Sequence, residues 1–404
     1  MTTKVHDIPV GNALSRHNTG QQPAYWSGVL AMTLCVFALV ASEFMPVSLL
    51  TPMATDLRVS EGLAGQGIAI SGALAVLTSL SISSLAGGMN RKALLLGMTG
   101  LMLLSGAVIA LASGYATYLL GRALIGVAIG GFWSMSAATA IRLVPPHRVP
   151  QALAIFNGGN ALATIVAAPL GSYLGAMIGW RGAFFCLMPV ALLALVWQWI
   201  SLPAMPAGGR EKGSGNVFAL LKHPLVALGI AGCGVFFMGQ FALFTYLRPY
   251  LETVTHVDVS SLSLILLAIG ISGFFGTVLI SAFLKAGFYQ TLIIIPLLMA
   301  AIAVALIAFG DRLFIVAALL CMWGMVATAA PVGWWSWVTR VLPKNAEAGG
   351  GLMVAIIQFA IALGSTIGGG LFDMSGYRST FTLSALLLLL AAVLAYLTSR
   401  ADRR

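Results

Sequence analysis

WSGVLAMTLCVFALVASEFMPVSLL, residues 26–50, decides the fold. As a helix rising ~1.5 Å per residue it reaches ~38 Å, enough to cross a hydrocarbon core of ~30 Å. Its apolar residues run continuously instead of alternating, which indicates a membrane helix and excludes a strand of a barrel. One residue breaks the run. Glu43 places a carboxylate in hydrocarbon, at a cost of ~2.5–3.5 kcal/mol on insertion scales for Asp at mid-span. Two roles suit such a group: a station on an ion or substrate pathway, or a structural anchor held by an arginine or by hydroxyls.

The rest of the chain has the same character. It is 59% hydrophobic and 8% charged, against about 25% charged in soluble domains, so a soluble globular enzyme is excluded. The 404 residues divide into twelve apolar spans at 26–50, 62–85, 93–112, 116–138, 151–175, 182–202, 224–248, 260–284, 290–310, 313–338, 348–371 and 377–398. The expected fold is an all-α integral membrane protein of two pseudo-symmetric six-helix bundles, 25–202 and 224–398. A tail over 1–24, a linker over 203–223 rich in Gly, Pro and charge, and a short tail over 399–404 complete it. The polar residues through Pro23 precede a span too long for a secretory signal, so the first span is read as uncleaved.

The net charge of +10 points to membrane orientation and away from nucleic acid, because the basic residues are scattered over short loops. With both termini cytoplasmic, the outer loops hold only Arg58, Arg181, Arg248, Arg312 and Arg378. Arg122 lies within the fourth span, and the other fifteen Lys and Arg fall on the inner side. The reverse topology would invert that bias. The four cysteines lie in apolar spans without metal-type spacing and are read as packing residues.

An internal repeat relates the halves. Pro169-Leu170-Gly171 and Gly179-Trp180-Arg181 recur 197 residues later as Thr366-Ile367-Gly368 and Gly376-Tyr377-Arg378. Glu43-Phe44-Met45-Pro46 in span one has Tyr246-Leu247-Arg248-Pro249 as its counterpart in span seven.

The candidate chemistry is sparse. Glu43 stands ~26 Å above Trp26 and Arg122 ~6–10 Å past Tyr115–Tyr118, which puts both in the outer part of the bilayer and within reach of a pair or a shared water network. The alternative for Arg122 is snorkelling to the outer interface. Asn157, Asn160 and Thr164 share one face of span five, and Gln66, Gln240 and Gln358 lie in spans two, seven and eleven. With Phe132, Trp133, Phe241, Phe244, Tyr246, Trp323, Trp334 and Trp335 they suit a flat, neutral, hydrogen-bonding ligand. Interhelical hydrogen bonds and plain packing account equally for each taken singly. Small residues in spans four and five, among them Gly126, Gly130, Gly131, Gly159 and Gly171, serve either a moving seam or static packing. No phosphate loop, HExxH or nucleophile–base set is present, so no enzyme activity and no cofactor are expected. An ion gradient is the economical energy source.

Gly121-Arg122-Ala123-Leu124-Ile125-Gly126 and Ala168-Pro169-Leu170-Gly171, with the two six-span halves, resemble the drug:proton antiporter branch of the major facilitator superfamily. Glu43 to Met53, Gly130 to Ala137, Arg142 to Pro146, Pro331 to Trp334 and Phe244 to Pro249 resemble the purine-nucleoside exporters of that branch. The resemblance implies an inner-membrane exporter exchanging protons for a purine nucleoside or related base; a monomer is expected. It places the proton-coupling acid on Glu43 and the span-four arginine on Arg122. The substrate-binding candidates are then Phe132, Trp133, Asn157, Asn160, Gln240, Phe244, Tyr246, Trp323, Trp334 and Gln358. Sugars or amphipathic drugs are the alternative cargo, and a non-transporting ligand sensor the alternative class. Two departures stand out: Asn90 replaces the Asp of the usual Gly-x-x-x-Asp-Arg loop, and Ala168 the Gly of the usual Gly-Pro.

Overall fold

The computed structural model describes residues 24–85, 88–205, 217–343 and 346–403. The N-terminal tail through Pro23 and the linker stretch Gly208–Gly215 lie outside the described residues, as does Gly87. The described chain is helical: α1 Trp26–Leu57, α2 Glu61–Leu85, α3 Arg91–Ala110, α4 Tyr115–Arg142, α5 Val149–Ser201, α6 Pro224–Phe244, α7 Leu247–Thr253, α8 Val259–Ala286, α9 Phe288–Ala308, α10 Leu313–Val341, α11 Ala346–Ser375 and α12 Tyr377–Asp402.

These helices do not map one to one onto the twelve expected spans. Spans five and six follow each other within α5 as two helical segments that meet at Gly179, whose φ 76° and ψ 163° are not helical. No separate loop joins them. Span seven is instead divided: α6 stops at Phe244 and α7 restarts at Leu247. Pro249 has no N–H to give Thr245, so the ladder cannot run through unbroken. Counting α5 as two spans and α6 with α7 as one restores twelve.

The repeat reappears in the backbone. Gly376, 197 residues after Gly179, adopts φ 75° between α11 and α12. Positive φ suits glycine because it lacks a Cβ. At equivalent corners of both halves the chain turns back through the same strained conformation.

The helices group as α1–α5 and α6–α12. Within the first group α1 packs along α5 and α2 along α4; within the second α6 packs on α12 and α11, and α8 on α10. Exposed large apolar side chains such as Leu77, Leu104, Met177, Ile200 and Phe314 cover the outer faces, as lipid contact requires. The glycines of α4 and α5 serve packing inside the first half. A Cβ on Gly126 or Gly130 would strike the α2 backbone, and one on Gly159 or Gly171 would strike α1.

The halves meet along α2 with α11, α5 with α8, and α1 with α7. Every hydrogen bond between halves among the described residues lies on one side of the molecule. Ser60 Oγ donates to Asp373 Oδ2 (2.5 Å) and Gly62 N to Asp373 Oδ1 (3.0 Å), so Asp373 caps the start of α2 from the opposite half. Thr366 Oγ1 donates to Gln66 (3.1 Å), Arg248 to the Ser48 carbonyl, and Gln358 to Glu43 (3.1 Å). Gln358 is fifteen residues before Asp373 on α11, ~22 Å along the helix. The seam is therefore joined from the Ser60/Asp373 end to mid-bundle.

Gly179→Ala should destabilise the protein by about 1–3 kcal/mol through backbone strain alone, since a Cβ there meets no atom within 4 Å. Gly100→Ala, equally unobstructed but inside α3, should stabilise by about 0.5–1 kcal/mol. Thermal unfolding in detergent compares the two signs.

Candidate transport site

Helix α1 contains Pro46 and Pro52. Each lacks the N–H that would bond the carbonyl four residues earlier, which orphans the carbonyls of Ser42 and Ser48. An unsatisfied carbonyl inside a membrane protein costs several kcal/mol. Two arginines answer the two orphans. Arg122 Nη1 donates to Ser42 O (2.9 Å), and Arg248 Nη1 donates to Ser48 O.

Arg122 is fully buried. Its Nε donates to Gly67 O (3.0 Å) and its Nη2 to Ser71 Oγ (2.9 Å). All three partners are neutral, and no ion pair with Glu43 forms. The expected match in depth holds to the extent that Arg122 bonds the residue next to Glu43. Along its helix Glu43 sits near the midpoint of α1, because that helix continues past Pro52 to Leu57.

Glu43 instead accepts from Gln358 Nε2 across the seam. Beside it, Phe44 of α1 stacks on Phe241 of α6 (6.0 Å between centroids), which in turn meets Phe244 edge-on. Gln240 adjoins Phe241, and its Oε1 is buried without a partner. The structure thus brings together Glu43, Gln358 and Phe244 of the expected set, and adds Phe44. They lie where the joined part of the seam ends. Beyond them no hydrogen bond or ion pair links the halves among the described residues. A Cβ on Gly270 of α8 would strike the backbone of Ile165 on α5, while one on Gly158, two turns before Ile165 on the same face, would meet nothing within 4 Å. Asn157 beside it is exposed, its amide donating to Leu153 O of its own helix. Asn160 is half-buried one turn further.

The other candidates sit elsewhere. Phe132 and Trp133 pack on Phe156 of α5 inside the first half. Trp334 packs edge-on against Trp337 inside the second, and Trp323 is fully buried in the same core with its Nε1 unpartnered. Tyr246 is buried in the closed seam, donating to Ser365 O (2.7 Å) and stacked on Phe372.

Two features escape the sequence reading. Arg248, counted there as a loop residue, is buried and paired through Nε with Glu252 (2.8 Å); the paired prolines of α1 are the signal that would have found it. The Ser60–Asp373 clasp has no such signal. Asn90 caps α3 through Lys92 N and accepts from Met205 N, while Lys92 Nζ donates to Leu202 O. That loop is tied within its own half.

Known proteins share this architecture. The profile of the Major Facilitator Superfamily matches residues 32–365. The chain belongs to that superfamily. It is 62% identical over 403 residues to the transcription regulatory protein OpdE of Pseudomonas aeruginosa, covering 99% of this chain and 98% of that one. It is 41% identical over 368 residues to the purine ribonucleoside efflux pump NepI of Salmonella typhimurium, covering 91% and 92%. Among solved structures, a bacterial homolog of the human lysosomal transporter Spinster, inward-facing and occupied, superposes with TM-score 0.75 at 17% identity over 92% of this chain and 96% of that one. The nucleoside transporter NupG superposes with TM-score 0.72 at 14% identity over 93% and 98%. This superfamily member is a multi-pass membrane transporter, and transport is not an enzymatic reaction.

If Arg248 exists to answer the carbonyl freed by Pro52, then Pro52→Ala, which restores the N–H, should reduce the cost of Arg248→Gln. A double-mutant cycle on thermal stability should give a coupling of about 1–3 kcal/mol; additive effects would contradict the assignment.

Proposed function

We propose that the chain exports purine ribonucleosides or related purine bases in exchange for protons, across the bacterial inner membrane and with both termini cytoplasmic. The position of Glu43 carries this reading. Among the described acidic residues it alone stands more than one turn from a helix end, and it touches both halves where the joined seam stops. A carboxylate there changes its surroundings whenever the halves rock, which is the requirement for coupling ion movement to alternating access. The full-length similarity to NepI supports the cargo. The amides of Asn157, Gln240 and Gln358, with the rings of Phe44, Phe241 and Phe244, suit a flat neutral base that stacks and hydrogen-bonds.

In this topology the Ser60/Asp373 end faces outward, and the site opens to the cytoplasm. A nucleoside enters from inside, the halves rock, a proton from outside neutralises Glu43, and the protonated carrier returns. Monomeric operation is part of the proposal. The decisive assay is labelled inosine movement in proteoliposomes. An imposed pH gradient should drive accumulation by the parent protein and not by Glu43→Gln, while inosine counterflow survives in both. Undiminished gradient-driven transport by Glu43→Gln would remove Glu43 as the proton carrier. Failure of inosine to exchange, with exchange of sugars or amphipathic drugs, would move the cargo.

The name of OpdE favours a second reading, in which a chain of this type influences transcription. Export of a regulatory small molecule unites the two. A transcriptional effect restored by the parent gene but not by Glu43→Gln would arise through transport; restoration by both would indicate a sensor.

A further inference from the structure

Gln358 of α11 has an incomplete set of bonds. Its Nε2 donates to Glu43 at 3.1 Å, and its Oε1 is buried with no partner. The side chain is almost wholly enclosed. Around Glu43, Arg122 of α4 supplies the nearest charge, and Tyr118 stands beside Arg122. Arg248 of α7 is committed to Ser48 and Glu252. Helices α2, α3, α5 and α11 bring no charged side chain to this level among the described residues.

Arg122 and Glu43 belong to the same half, so the field of the arginine is carried along unchanged when the halves rock. Gln358 belongs to the other half. We propose that Gln358 makes the proton affinity of Glu43 depend on conformation, by donating to the carboxylate only while the Ser60/Asp373 side is closed. This rests on the proton-coupled reading above.

The sign is the one an exporter driven by protons needs. With the outer side closed, the amide N–H stabilises the ionised carboxylate and the proton leaves to the cytoplasm. Opening the outer side draws α11 away from α1, the donor is lost, and the carboxylate holds a proton from outside more tightly. A hydrogen bond to a charged group makes this a difference of about tenfold or more in proton binding. The unpartnered Oε1 completes the cycle. The terminal amide torsion is soft and two-fold, so the amide can turn and accept from protonated Glu43. The halves then close over the neutral acid without stranding its O–H.

Infrared titration of the protein in vesicles tests this without a substrate. The carboxyl band of Glu43 is assigned by its loss in Glu43→Gln. In Gln358→Met, which keeps length but cannot donate, its titration midpoint should rise by about one pH unit. Gln358→Leu should move it the same way. In the same variants the pH dependence of gradient-driven inosine transport should shift with that midpoint. An unchanged midpoint would overturn the role of Gln358 and leave it a packing or substrate-contacting residue. A Glu43 band that titrates in neither protein would overturn the proton-coupled reading, and this inference with it.

Discussion

Two backbone carbonyls in the first membrane helix organise this protein. Pro46 and Pro52 each withhold an N–H from α1, and no water is at hand in the bilayer core to replace it. The guanidinium groups of Arg122 and Arg248 fill the vacancies. A guanidinium is costly to bury but presents several donors in fixed directions. Each arginine therefore takes a position that the helix geometry dictates. Arg122 comes from within the same half and ties α1 to α4 and α2. Arg248 comes from the other half and ties the halves to each other.

That division of labour explains how one helix can be both fixed and movable. The Arg122 network is internal to the first bundle and travels with it. The Arg248, Asp373 and Gln358 bonds cross the seam, and in the proposed alternating-access cycle each breaks when the opposite side closes. All three offer partners that water can replace once the seam opens: a carbonyl, a helix N-terminus and a carboxylate. Glu43, next to the carbonyl that Arg122 holds, lies on the boundary between these two sets of bonds. A charge there is held in a defined place by its own half and sensed by the other.

Much of the fold is legible in the sequence because lipid imposes a simple rule. The apolar runs mark the spans, and the 197-residue offset marks the repeat that the backbone of Gly179 and Gly376 displays. The misreadings have local causes. The expected span one ends at Leu50, whereas helix α1 continues to Leu57 and has Glu43 near its midpoint. The expected span seven, 224–248, stops just before Pro249, whose missing N–H breaks the ladder within that span at Thr245. The site was legible in part. Glu43 declares itself by its cost, but its partner Gln358 is 315 residues away, and nothing in one sequence links two residues so far apart. Phe132, Trp133 and Trp334 pack on rings of their own bundles, as large side chains do with or without a ligand.

The central claim is that the charge on Glu43 decides which side of the transporter is closed. Spin labels at Val59→Cys and Met374→Cys, on opposite halves beside the Ser60–Asp373 clasp, measure this directly in a background without the four native cysteines. Pulsed electron–electron distances should be short at alkaline pH and gain a longer component as pH falls. In Glu43→Gln the distribution should no longer respond to pH. A distribution independent of pH in the parent, or a response that persists in Glu43→Gln, would contradict the account.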